Sequence, residues 1–205
     1  MSLPARKLRP KDPPPVALHD RAMDNLRYIR ETMERSASFT HVSGIGGVLM
    51  GVTALLATTI AVQTTSQAVW LAAWLGAAVL SLGLATFTMA RKSRAEGVSL
   101  FTGPGRKFAR NVIPPLAAGA VLTLALARGG YMELLPGMWL LLYGTSIVTG
   151  GSYSVRPVPF MGVSFMLAGV AAFLSPAAWG DAFMAAGFGG LHIVFGIVIW
   201  RKHGG

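Results

Sequence analysis

Residues 179–200 read WGDAFMAAGFGGLHIVFGIVIW, and Arg201 and Lys202 follow at once. Between Asp181 and Arg201 no side chain carries a fixed charge. At about 1.5 Å per residue such a helix is about 33 Å long, enough to cross a hydrocarbon core of about 30 Å. Trp179 and Trp200 suit the two membrane interfaces, and the basic pair suits a cytoplasmic exit. Gly187, Gly189, Gly190 and Gly196 lie inside and let another helix come close, with Gly187 and Gly190 assigned to the packing face. His192 lies inside as well, about 12 Å from Trp200 along the axis.

The rest of the chain repeats this character. Of 205 residues, 53% are hydrophobic and 13% charged, and the mean hydropathy is +0.54. A soluble domain carries nearer a quarter charged residues. The apolar residues fall into six runs of membrane length, at about 45–62, 69–90, 108–127, 134–150, 158–174 and 179–200. One all-α, six-helix membrane domain over 41–205 is therefore expected. Residues 1–40 are expected to form a basic, Pro-rich tail and an amphipathic helix. No apolar leader core is present in the first 40 residues, so no cleavable signal peptide is expected. Without cysteine, disulfides, thiolate catalysis and Cys-ligated metals are excluded.

The net charge of +10 resembles a nucleic-acid signal, but its placement points elsewhere. Eight of the 18 Lys and Arg precede residue 40, and six lie between 91 and 110. Basic residues beside apolar spans mark the cytoplasmic side and anionic lipid. Arg6, Lys7, Arg9, Lys11, Arg91, Lys92, Arg94, Arg106 and Lys107 form the expected lipid or partner surface. No nucleic-acid partner is expected. Six spans put both termini on one side. With that side cytoplasmic, 17 of the 18 basic residues lie inside, Arg128 being the exception.

Asp20 is a plausible N-cap for a helix reaching Ser38. Ala22, Leu26, Ile29 and Met33 recur on one face of it. That face suits the inner membrane surface, a cytoplasmic protein partner or a second copy of the chain. Gly103-Pro104-Gly105 before Arg106 and Lys107 is read as a flexible basic turn. It lacks the Lys-Ser/Thr of a P-loop, and Pro104 offers no N–H. Pro114-Pro115 should bend a third span that begins near Phe108. Arg128, Glu133 and Asp181 are expected in a loose outer salt-bridge cluster.

The odd spans resemble one another. LMGVTALLA (49–57) aligns with LAGVAAFLS (167–175), matching Gly51 to Gly169 and, seven residues earlier, Gly44 to Gly162. Gly119 takes the same place in AAGAVLTLA. With Gly47, these are the expected packing glycines. The chain thus reads as three helical hairpins in parallel orientation. In these glycine-and-leucine hairpins it resembles the bacterial acid-resistance membrane protein family. The likeness covers the six spans and implies a small bacterial inner-membrane protein. It carries over no functional residue.

An ionisable residue inside a span is a functional candidate. His192 is expected to lie near the polar inner half of the fourth span, with Tyr143, Thr145, Ser146 and Thr149. A neutral imidazole needs one donor and one acceptor, which those hydroxyls can supply. The structural expectation is a hydrogen bond locking the fourth span to the sixth. The functional expectation is proton transfer or ligand binding. His41 lies about 12 Å from the depth of His192, which argues against one haem held by both. No HExxH, paired carboxylates or nucleophile elbow occurs. No catalytic residue, metal or cofactor is expected. The leading functional expectation is a non-enzymatic scaffold or regulatory membrane protein, and the alternative is a small transporter or channel around His192.

Overall fold

The structure is a computed structural model that describes residues 18–36, 39–97, 99 and 103–204. Arg6, Lys7, Arg9, Lys11 and the triple proline lie outside the described residues. The chain divides into two units, Met1–Ser36 and Ala37–Gly205. The first contains α1 (Leu18–Ser36). This helix starts two residues before the expected cap, so Asp20 sits in its first turn, where a carboxylate complements the helix dipole. Ala22, Leu26, Ile29 and Met33 are all exposed along α1.

The second unit contains six helices long and apolar enough to cross a membrane. They are α2 (Gly44–Ala61), α3 (Gln67–Ala95), α4 (Gly103–Gly129), α5 (Leu135–Gly151), α6 (Pro157–Leu174) and α7 (Ala177–His203). Among the described residues there is no strand, only an isolated parallel bridge between Phe39 and Ser154. The chain is a multi-pass, all-α membrane bundle. Ser43 and Ser66 begin α2 and α3, their hydroxyls accepting from the N–H of Gly46 and Val69. α4 begins five residues earlier than expected, because Pro104 fits the first helical turn, where no N–H is needed. Gly103-Pro104-Gly105 is therefore helical and not a turn.

Glycines decide which helices meet. A Cβ on Gly44 would lie 2.5 Å from the Gly196 carbonyl oxygen, and one on Gly51 would lie 2.7 Å from that of Gly189. So α2 and α7 run antiparallel with their backbones in contact. A Cβ on Gly144 would lie 2.7 Å from the Gly162 oxygen, and one on Gly169 would lie 3.0 Å from that of Gly137. α5 and α6 meet in the same way. Each ladder has its glycines seven residues apart, so they return to one face after two turns.

These ladders revise the three-hairpin expectation. α2 packs along α3 and α4 along α5, but α6 packs chiefly on α5, and α7 chiefly on α2. By neighbours the bundle has two halves, α3–α2–α7 and α4–α5–α6, which pair alike in opposite directions. Gly119, aligned with Gly51 and Gly169, would place a Cβ 3.5 Å from a Leu142 methyl, an ordinary contact. Gly190 has nothing nearer than the Ala185 oxygen at 4.0 Å, so it is not a packing glycine. Gly187 meets the side chain of Leu140, and Gly47 meets the backbone of Gly196.

α5 is central: half of its membrane window is buried, against 6% for α3 and 11% for α4. α3 and α4 flank the bundle and expose large apolar side chains such as Val79 and Val121. In water such faces would be a liability, but in lipid they are the expected surface. Leu140, Phe165, Met184 and Trp74 form the buried centre around the α2 alanines 54, 57 and 61.

Candidate functional site

His192 is 3% exposed and follows a π-helical segment, Ala185–Leu191, within α7. The segment reads AAGFGGL, and three glycines in seven residues weaken its preference for a regular α-helix. Single wide turns of this kind recur at functional sites. Here the His192 backbone N–H bonds the Gly189 oxygen, and the ring Nδ1 lies 2.9 Å from the Phe188 oxygen. A carbonyl only accepts, so Nδ1 carries the proton. In the neutral ring Nε2 must then accept, and the Tyr143 hydroxyl donates to it at 2.6 Å. Both ring nitrogens are satisfied. Phe165 and Phe188 enclose the pair, with ring centroids 4.8 and 5.2 Å from that of Tyr143.

The other expected members of this polar site do other work. Pro115 has no N–H, so the Asn111 carbonyl four residues earlier has no helical donor. The Thr149 hydroxyl donates to that carbonyl at 3.0 Å, and Ser146 donates to the Val112 carbonyl at 3.0 Å. Two α5 hydroxyls thus bond α4 at its double proline. Thr145 donates to its own helix, at Leu141. The five residues grouped from sequence are therefore a Tyr143–His192 pair, two hydroxyls that bond α4 beside its prolines, of which Thr149 serves the orphaned Asn111 carbonyl, and one local bond.

At the end of the bundle where α3 and α7 finish, Lys92 is not part of a lipid surface. It is 8% exposed, and its ammonium donates to the carbonyls of His203 at 2.6 Å, Val42 at 3.4 Å and Gly204 at 3.5 Å. It joins the end of α3 to the end of α7, where a cation also complements the helix dipole. Sequence position beside Arg91 and Arg94 hid this. The usable signal was spacing, because Lys92 falls four residues after the half-buried Thr88. Arg91, Arg94 and Arg106 are exposed, while Lys107 is half-buried, 5.9 Å from the Tyr153 ring centroid. His41 Nε2 lies 3.1 Å from the Glu96 carboxylate.

At the opposite end of the bundle, Asp181 does not serve a salt-bridge cluster. It accepts from the Trp70 indole at 2.8 Å. Trp70 in turn stacks on Trp139, centroids 5.7 Å apart, tying α3, α5 and α7 together.

Between α3 and α4 lies a cleft of about 520 Å³ that reaches inward to Tyr143 and His192. Its walls are apolar, and no Asp, Glu, Lys or Arg lines it. Thr123 on its wall donates to Gly119 and accepts from the Trp139 indole at 2.7 Å. The buried indole N–H of Trp74, on the α3 wall, has no acceptor among the described residues.

Compared with known proteins, the chain matches no family model, no curated protein and no solved structure. The reading of this site rests on its own geometry.

Proposed function

We propose that the protein is a non-enzymatic scaffold or regulatory protein of the bacterial cytoplasmic membrane. Both termini would lie in the cytoplasm. Its basic inner surface and the apolar stripe of α1 would meet anionic lipid, a protein partner or a second copy. The observation that carries this reading is the closed polar interior. His192 spends both ring nitrogens on Phe188 and Tyr143, and Ser146 and Thr149 serve backbone carbonyls. Such groups fix helix positions and leave little to bind a substrate. The orientation is supported by charge, since 17 of 18 basic residues fall on one side. The resemblance to the acid-resistance membrane proteins supports the bacterial inner membrane and no particular activity.

A second reading, a small transporter or channel, draws on the cleft that reaches the Tyr143–His192 pair. One substitution separates the two. Gln keeps a donor and an acceptor, so His192→Gln should preserve folding and every cellular phenotype of the protein. His192→Leu leaves the Tyr143 hydroxyl without its partner and should cost roughly 1 kcal/mol. A Gln variant that folds normally but loses a pH-dependent phenotype or a transport signal would replace the scaffold reading with the transporter reading.

A further inference from the structure

We infer that the cleft between α3 and α4 holds one acyl chain of an anionic phospholipid from the inner leaflet. The inference rests on the orientation proposed above for the choice of leaflet, and on the cleft itself for everything else.

The cleft is lined on α3 from Trp74 to Met89 and on α4 from Phe108 to Thr123. Fifteen steps of about 1.5 Å make it about 22 Å long, past the middle of a core about 30 Å thick. An acyl chain entering from the inner side therefore has room along its length. A buried water needs two to four polar partners. The hydroxyls of Ser43, Thr88 and Thr123 are already bonded within the protein, as are Tyr143 and His192. The remaining polar groups on the walls, the Trp74 indole N–H and the Ser81 hydroxyl, are seven residues apart on α3, about 10 Å, and cannot share one water. Water is thus a poor occupant. A single alkyl chain needs no polar partner and matches these apolar walls.

Charge selects the headgroup. The inner ends of the two helices that bound the cleft carry Arg91 and Arg94 on α3, and Arg106 and Arg110 on α4. All four side chains are exposed, and among the described residues none is ion-paired. None of them lines the cleft itself, but guanidinium groups at the same end of both helices suit a phosphate at that level of the membrane. No acidic residue lies on the described parts of α3 or α4, and Glu96, which caps α3, lies 3.1 Å from His41 Nε2.

The test uses the full chain in vesicles of zwitterionic phosphatidylcholine containing a trace of phosphatidylglycerol with a photoreactive group in its acyl chain. Adducts are mapped by peptide mass spectrometry. Labels should concentrate on the cleft walls of α3 and α4. Outward apolar positions such as Phe160 and Leu174 report ordinary lipid contact in the same sample. Unlabelled phosphatidylglycerol should compete at the cleft at least about tenfold better than added phosphatidylcholine, given the pull of each guanidinium on anionic lipid. Ala85→Phe with Gly119→Phe should remove cleft labelling and spare Phe160 and Leu174. Should that pair fail to fold, changing Arg91, Arg94, Arg106 and Arg110 together to Gln leaves the cleft walls intact and should abolish the headgroup preference. Labelling spread evenly over all lipid-facing helices would overturn the site. Equal competition by the two lipids would overturn its anionic selectivity. Symmetric vesicles make the result independent of orientation, so failure here and failure of the scaffold reading are distinguishable.

Discussion

Leucine at Gly144 or Gly196 should destabilise the bundle by about 3 kcal/mol or more, the upper end of what overpacking costs. The reason is the neighbour that a side chain would meet. At Gly144 a Cβ falls 2.7 Å from the backbone oxygen of Gly162 and 2.7 Å from the Met166 nitrogen. At Gly196 it falls 2.7 Å from the Val48 nitrogen and 2.9 Å from the Gly44 oxygen. Backbone cannot swing aside as a side chain can, so the two helices must separate and lose their contacts along the ladder. The controls sit in the same bundle. A Cβ on Gly76 or Gly83 meets nothing within 4 Å, and Gly190 is as open. Leucine at these three should change stability by no more than about 0.5 kcal/mol. Thermal unfolding in mild detergent separates the groups. The ladder variants should melt about 6–12 °C lower, and the controls should stay near wild type. Equal midpoints in both groups would mean that these backbones are not in contact.

The second large effect is expected at Lys92. Its ammonium is the donor for three carbonyls, before α2 and at the close of α7. Lys92→Glu removes a charge-assisted hydrogen bond, worth about 1.5–3 kcal/mol. It also sets a carboxylate against carbonyl oxygens and the negative end of α7, adding about 0.3–1 kcal/mol. Glu96, the cap residue just after α3, repels it further. Lys92→Arg keeps donors and charge and should recover most of the loss, with Lys92→Met between the two. Proteolysis of the α7 terminus gives a local reading beside the melting point, and should be fastest in the Glu variant. If Glu and Arg behaved alike, Lys92 would be an ordinary surface cation.

Much of the fold is legible in the chain because a bilayer demands long apolar helices, and their number follows from counting. The partners of each helix are harder to read. Gly76 and Gly83 are seven residues apart like the ladder glycines, yet they face open space. Spacing marks a smooth face and not the surface that covers it. The same limit applies to Gly190, one residue off the ladder position at Gly189. The Tyr143–His192 bond was accessible from sequence because a lone buried imidazole must find partners. The role of Thr149 was readable in principle, since Pro115 leaves a carbonyl at Asn111 that needs a hydroxyl. What hid it was its closeness in sequence to Tyr143. The π segment and the carbonyl-bound Lys92 depend on contacts more than 100 residues away or on local backbone choice, which periodicity does not encode.

The central claim is six crossings with the basic loops on one side and the short loops on the other. Single cysteines test it directly, since the native chain has none. Thr65→Cys, Tyr131→Cys and Ala178→Cys should react with a membrane-impermeant thiol reagent in intact cells. Ala95→Cys, Ser152→Cys and His203→Cys should react only after the membrane is opened. All six positions are exposed, so burial does not account for silence. Labelling in this alternating pattern is the predicted result, and labelling of position 95 or 152 in intact cells would contradict the account.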